Sequence, residues 1–225
     1  KAKREFGRMF RKFIWGTASD CPQIEITLNG EVIKAVDPLY ITKELTGFEN
    51  EPPATSLATN SFSVDIPEGS PNHGKKSTVT INMSLLPEAY TRKRGIGGDT
   101  FAKDRCFDQN EGISILRNDR EIFFGHIPHS QLYVGQRDIQ RFIGIEISFS
   151  AEIDSLFQVR NIKRGATPTT ELRDELVKRI KQPLGSQIKK VQDRWNAHEI
   201  EQENKAAEEA ANTGVTTKHA KTQAI

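Results

Sequence analysis

One short run constrains the fold of this chain more than any other part of it. Ile143, Ile145, Ile147 and Phe149 alternate with Gly144, Glu146 and Ser148. Strict alternation is the period of a β-strand with one buried face, whereas a helix would scatter the same side chains around its circumference. A sheet must therefore form, and the remaining chain must flank and cover it. Phe62, Val64 and Ile66 alternate in the same way, as do Val79, Ile81, Met83 and Leu85, with a polar loop from Pro67 to Lys76 between them. Gly112 to Arg117 and Arg120 to Gly125 read as two strands joined at Asn118-Asp119. Nearer the start, Ile24, Ile26 and Leu28 lead into Asn29-Gly30, a pair suited to the positive-φ positions of a tight hairpin, with Glu31 to Val36 as the returning strand.

Helical signals lie at the two ends. From Lys1 to Gly16, basic residues accompany Phe6, Met9, Phe10 and Phe13 at helical spacing, which predicts an amphipathic helix. Thr169 or Thr170 can cap a helix carrying Leu172, Leu176, Val177 and Ile180, which Gln182-Pro183 kinks or ends. Leu184, Ile188, Val191 and Trp195 continue the apolar stripe in a second helix. Beyond Asn196 the chain is rich in Glu, Lys, Ala and Asn and has little to bury, so a fraying helix or tail is expected there. Residues 87–111, polar and glycine-rich around Gly95 to Gly98, are expected to be a mobile loop. Asp37-Pro38 and Glu51-Pro52-Pro53 interrupt regular structure, placing a boundary near residue 50.

Several function classes are disfavoured. No run of about 18 apolar residues occurs, so no membrane span is expected, and the first residues lack the apolar centre and cleavage site of a secretory signal. Cys21 and Cys106 stand apart without ligand spacing, which predicts free thiols in a reducing cytoplasm. With 32 Lys plus Arg against 30 Asp plus Glu, the overall field gives no strong case for nucleic acid. There is no GxxxxGK[ST] loop and no GxSxG elbow. His126 and His129 flank Pro128 with no third ligand indicated, so no metal is expected. Arg173, Lys178, Arg179, Lys181, Lys189, Lys190 and Arg194 read as the solvated face of a helix, with a local nucleic-acid surface as the alternative.

The segment from Asn110 to Ile122, reading NEGISILRNDREI, resembles an element of bacterial GHKL-type ATPases related to MORC proteins. In that family it is followed by a strand like Gly144 to Phe149 and a loop like Phe157 to Lys163, in the same order and spacing. Phe10 to Ile14, Ile24 to Gly30 and Val36 to Leu39 are similar to the end of the family's ATP-binding domain, so the resemblance spans roughly residues 1–195. It implies an α+β chain: a ribosomal-protein-S5-domain-2-like transducer, preceded by the end of a GHKL domain and followed by a helical tail, as in the ATP-binding chain of DNA gyrase and in MutL. The corresponding divisions are 1–50, 51–168, 169–195 and 196–225.

The same resemblance implies that Lys163 reaches the γ-phosphate of ATP bound in a neighbouring domain, with Asn161 as its companion in the loop. Arg164 stands where the relatives carry glutamine. The family's nucleotide-binding motifs are not in this sequence, so ATP and Mg²⁺ are expected only in a longer protein with an upstream GHKL domain, and none is expected on this chain alone. Partners implied are that domain, a second copy of the chain in a homodimer, and DNA. The competing expectation is a non-enzymatic β-rich module that binds DNA or protein, with Lys163 a solvated loop charge.

Overall fold

The structure is a computed structural model that describes residues 2–42, 52–91, 93–95, 100–104, 106–132, 137–158 and 166–222. It is an α+β arrangement with a mixed sheet. Strands β3 (Thr55–Ser56), β4 (Asn60–Asp65), β5 (Lys76–Leu85), β6 (Ile113–Arg117), β7 (Arg120–Gly125) and β8 (Ile143–Phe149) form the main sheet. A separate two-stranded hairpin joins β1 (Thr27–Leu28) to β2 (Glu31–Val32). Along one edge of β5 lie β4, paired from Asn60↔Ile81 to Asp65↔Lys76, and β3, paired at Thr55↔Leu85 and Ser56↔Ser84. On the other edge β8 runs antiparallel to β5, β6 runs parallel to β8, and β7 closes the order antiparallel to β6.

The pairing register sorts the two faces. Ile81 opposes Ile147, Met83 opposes Ile145, and Ile113 and Ile115 lie beside Ile145 and Ile147, so the centre of one face is apolar. Helix α6 (Thr170–Thr222) joins Leu172, Leu176, Ile180, Leu184, Val191 and Trp195 to that core. Thr169 is its cap: its Oγ1 accepts from the Leu172 N–H at 3.4 Å. The alternative that Pro183 ends the helix is corrected, because α6 runs through it. An interior proline costs about 3 kcal/mol, but each of the six buried apolar side chains on α6 contributes about 1.5–3 kcal/mol, so packing on both sides of Pro183 outweighs the lost hydrogen bond. From Asn196 to Asn212 the helix is largely exposed.

The opposite face is polar yet also covered. It presents Ser84, Ser114, Glu121, Gly144 and Glu146, and the cover is residues 2–42. The expected single helix at the start is two, α1 (Ala2–Met9) and α2 (Arg11–Trp15), broken at Phe10. At the break Arg11 Nη1 donates to the Arg8 carbonyl at 2.8 Å, so a side chain takes an acceptor that a continuing helix would use. The Asn29-Gly30 turn has φ of 55° and 81°, the positive pair the sequence predicts, on strands shorter than expected. Asp37 then holds the chain as it crosses the sheet, its carboxylate accepting from the N–H groups of Leu39, Ile41 and Thr42. A Cβ on Gly144 would stand 2.8 Å from the Pro38 carbonyl and 2.9 Å from Leu39 Cα, so only glycine lets this segment lie flat on β8.

Residues 87–111 differ from the mobile loop expected. Their described part folds into α3 (Glu88–Thr91), α4 (Thr100–Asp104) and a 3₁₀ turn at Phe107–Gln109. Tyr90, Ala102 and Phe107 are buried, and the Phe107 ring meets Tyr40 at 5.0 Å and Tyr90 at 5.4 Å. Gly97 and Gly98 lie outside the described residues. A further short helix, α5 (Arg137–Gln140), precedes β8.

Candidate functional site

The stretch after β8, where the family resemblance implies a phosphate-sensing lysine, has a tightly fixed base. Beyond Phe149 the chain makes a 3₁₀ turn at Ala151–Ile153 and returns so that Phe157 stacks on Phe149, with ring centroids 3.7 Å apart and planes inclined by 6°. Phe157 is fully buried. Its carbonyl accepts from the Thr167 N–H at 2.8 Å, and the Leu156 carbonyl accepts from the Thr169 N–H at 2.8 Å. The two strands of the loop are thus laced together immediately before α6 begins. Asn161 and Lys163, like Arg164, fall within residues 159–165, outside the described residues.

Neighbouring groups clamp the same end of the sheet. Arg117, the last residue of β6, grips Asp154 with Nε and Nη2 at 2.6 and 2.7 Å. These hydrogen bonds, partly offset by burial, hold the guanidinium pKa above its usual value. The Asn118 N–H donates to the Phe149 carbonyl, and the Asn118 side chain accepts from the Ala151 N–H. Asp119 accepts from both the N–H and hydroxyl of Ser19, at 2.8 and 2.9 Å. The chain after α2, the β6–β7 turn and the base of the Lys163 loop therefore meet at one end of the sheet.

A second constellation, which sequence reasoning missed, lies under α2. Arg11 is 0% exposed. Its Nη2 donates to Glu146 at 2.6 Å and to Ser114 at 2.8 Å, while Nη1 reaches Glu121 at 3.2 Å. Ser114 donates onward to Glu121 at 2.7 Å, Arg8 Nε binds the other Glu121 oxygen at 2.7 Å, and Lys12 approaches Glu146 at 3.6 Å. In the sequence Glu146 is visible only as the polar phase of the β8 alternation. The missing information is that this face, too, is covered.

Burial raises the Glu146 pKa, but the charges of Arg11 and Lys12 and the hydrogen bonds from Arg11 and Asn82 overcome it, leaving the carboxyl below its ordinary value of 4.5. A depressed carboxylate pKa contributes stability above the unfolded-state value and loses it as pH falls through the folded-state value. The gap in urea midpoint between wild type and Glu146→Gln is therefore expected to be widest above about pH 5 and to narrow on acidification. A gap that stays constant down to about pH 3 would show that Glu146 is not the titrating group.

The remaining candidates resolve differently. Of the basic residues on α6, Arg179 is held by Glu175 and Asn60 and stacks over Phe62 at 4.5 Å, and Arg194 donates to Thr91. Lys178, Lys181, Lys189 and Lys190 are exposed. Among the described residues no group of three His, Cys, Asp or Glu side chains could hold a metal ion, and His126 and His129 remain a loop pair. Both cysteines are free thiols. An open groove of about 380 Å³ lies between α1 and β7, but its Arg4 is engaged by Gln109 and the Cys106 carbonyl and its Arg8 by Glu121 and the Phe124 ring. Among the described residues no helix is long and apolar enough to cross a membrane. Comparison with protein-family models, with curated proteins and with solved structures found no match for this chain.

Proposed function

We propose that this chain is the transducer portion of a GHKL-type, MORC-like ATPase, in which Lys163, accompanied by Asn161, contacts the γ-phosphate of ATP held with Mg²⁺ by an upstream domain. In this reading the sheet is the ribosomal-protein-S5-domain-2-like fold, and closure on ATP brings two chains together in the cytoplasm. The observation that carries it is the laced base of the 158–166 loop. With Phe157 locked on Phe149 and bonded to Thr167, a pull on the loop is borne by β8 on one side and α6 on the other. Only an interaction that differs between two states shifts their equilibrium, and a lysine that meets phosphate only when ATP is present supplies that difference.

Two measurements test the reading. The 225-residue chain alone is expected to show neither ATP binding nor turnover by calorimetry with Mg²⁺, since one lysine cannot replace an adenine pocket and metal ligands. In the longer protein with its nucleotide domain, a non-hydrolysable ATP analogue is expected to protect the Lys163–Arg164 site from trypsin. Cleavage there at the same rate with and without the analogue would remove the loop from the nucleotide site.

A further inference from the structure

The exposed side of α6 is unequally charged along its length. Opposite its buried stripe, residues at 3–4 spacing place Lys178, Lys181, Gly185 and Lys189 on one line, and the same line continues through Ile200 and Glu203. The basic stretch overlies the sheet. Past Trp195 the helix turns acidic, with Glu199, Glu201, Glu203, Glu208 and Glu209 against Lys205 alone up to Asn212. Ile200 is 57% exposed, one of the largest apolar side chains left in water. Gly185, about 22 Å back along the axis at 1.5 Å per residue, faces open space where a Cβ would meet nothing within 4 Å.

We infer that α6 is a self-association surface, on which a second copy of this chain packs its own α6 antiparallel. Seating Ile200 of each copy over Gly185 of the other fixes the register. Lys181 then stands next to Glu203 of the facing helix, and Lys189 lies within one turn of its Glu199. The arrangement is self-complementary about a two-fold axis, as a closed dimer requires. A parallel pairing would instead stack lysine on lysine and glutamate on glutamate. Antiparallel helices also oppose their dipoles favourably. The distal half of α6, polar apart from Ile200 and past the core, gains in the second copy the packing partner that an isolated helix of this kind lacks. This contact does not rest on the nucleotide reading and forms without ATP.

The test is sedimentation equilibrium on the complete 225-residue chain, with circular dichroism to verify the fold of each variant. A dimer that weakens between about 0.05 and 0.5 M salt is expected. Lys181→Glu alone and Glu203→Lys alone should each raise the dimer dissociation constant about ten-fold or more, because each places two like-charged pairs across the axis. Mixed in equal amounts, the two variants should restore dimers as heterodimers, since every facing pair is then opposite in charge. Ile200→Asp should weaken the dimer regardless of salt. A chain that stays monomeric at about 100 μM, or a dimer indifferent to all three substitutions, would overturn the inference. So would loss of duplex-DNA binding on Lys181→Glu in a monomeric chain, which would assign the lysines to nucleic acid.

Discussion

Arg11→Met is expected to lower the unfolding free energy by about 3–5 kcal/mol, the range for removing one partner from a buried ion network. The size follows from what would remain. Glu121 and Glu146 are 4% and 2% exposed, so neither can turn to water for compensation. Arg8 would still bind Glu121, but Glu146 would keep only Lys12 at 3.6 Å and the Asn82 amide at 3.5 Å. Arg11→Lys should recover little, because a compact ammonium cannot bridge Ser114, Glu121, Glu146 and the Arg8 carbonyl as the planar fork does. By contrast, joint replacement of Arg11, Glu121 and Glu146 with apolar residues of similar volume should regain most of the loss, since no buried charge is then left unpaired. Urea unfolding of the three variants is the measurement. A loss under about 1 kcal/mol for Arg11→Met would mean that the network is worth no more than a surface pair.

Lys163→Ala, made in the longer protein that carries the proposed nucleotide domain, is expected to lower ATPase turnover by about ten- to a thousand-fold, the effect of removing one preorganised donor to developing phosphate charge. The lysine lies outside the described residues, but the base of its loop does not. Because Phe157 and Thr167 close that base through backbone groups and a ring stack, truncating a side chain beyond it should leave the melting temperature of the 225-residue chain unchanged. Arg164→Ala should reduce turnover far less. Steady-state kinetics and ATP-induced dimerisation of the two variants separate a dedicated contact from a generally basic loop, and equal, mild effects from both would remove Lys163 from the role.

The elements legible in the sequence were those whose causes are local. The alternation of Ile143 to Phe149, the Asn29-Gly30 turn, the strands on either side of Asn118-Asp119 and the cap at Thr169 each depend on residues a few positions apart. What escaped depended on distant partners. Pro183 reads as a kink or a stop unless Leu184, Val191 and Trp195 are known to share the core that holds Leu172 to Ile180. The polar stretch from Pro87 to Glu111 reads as a loop until Tyr40 is found against Phe107. Phe10 continues an amphipathic pattern without a flaw, and only the guanidinium beside it explains the break. At the candidate site, the loop assignment came from family resemblance and the lacing beneath it from structure. Nothing in the spacing of Arg11 hints that it is buried.

The distance in sequence between Arg11 and Glu146, 135 residues, has a consequence for how the chain is made. At ribosomal rates of about 5–20 residues per second, α1 and α2 leave the ribosome roughly 7–27 s before the strand that completes their binding surface. During that interval Gly7 and Arg11, the buried residues of the two helices, have no sheet to pack against, and Arg11 has none of its acidic partners. Helices made early in this stretch are thus secured only after β8 has been made, and until then α1 and α2 are a natural client for any chaperone that shields apolar, basic peptides.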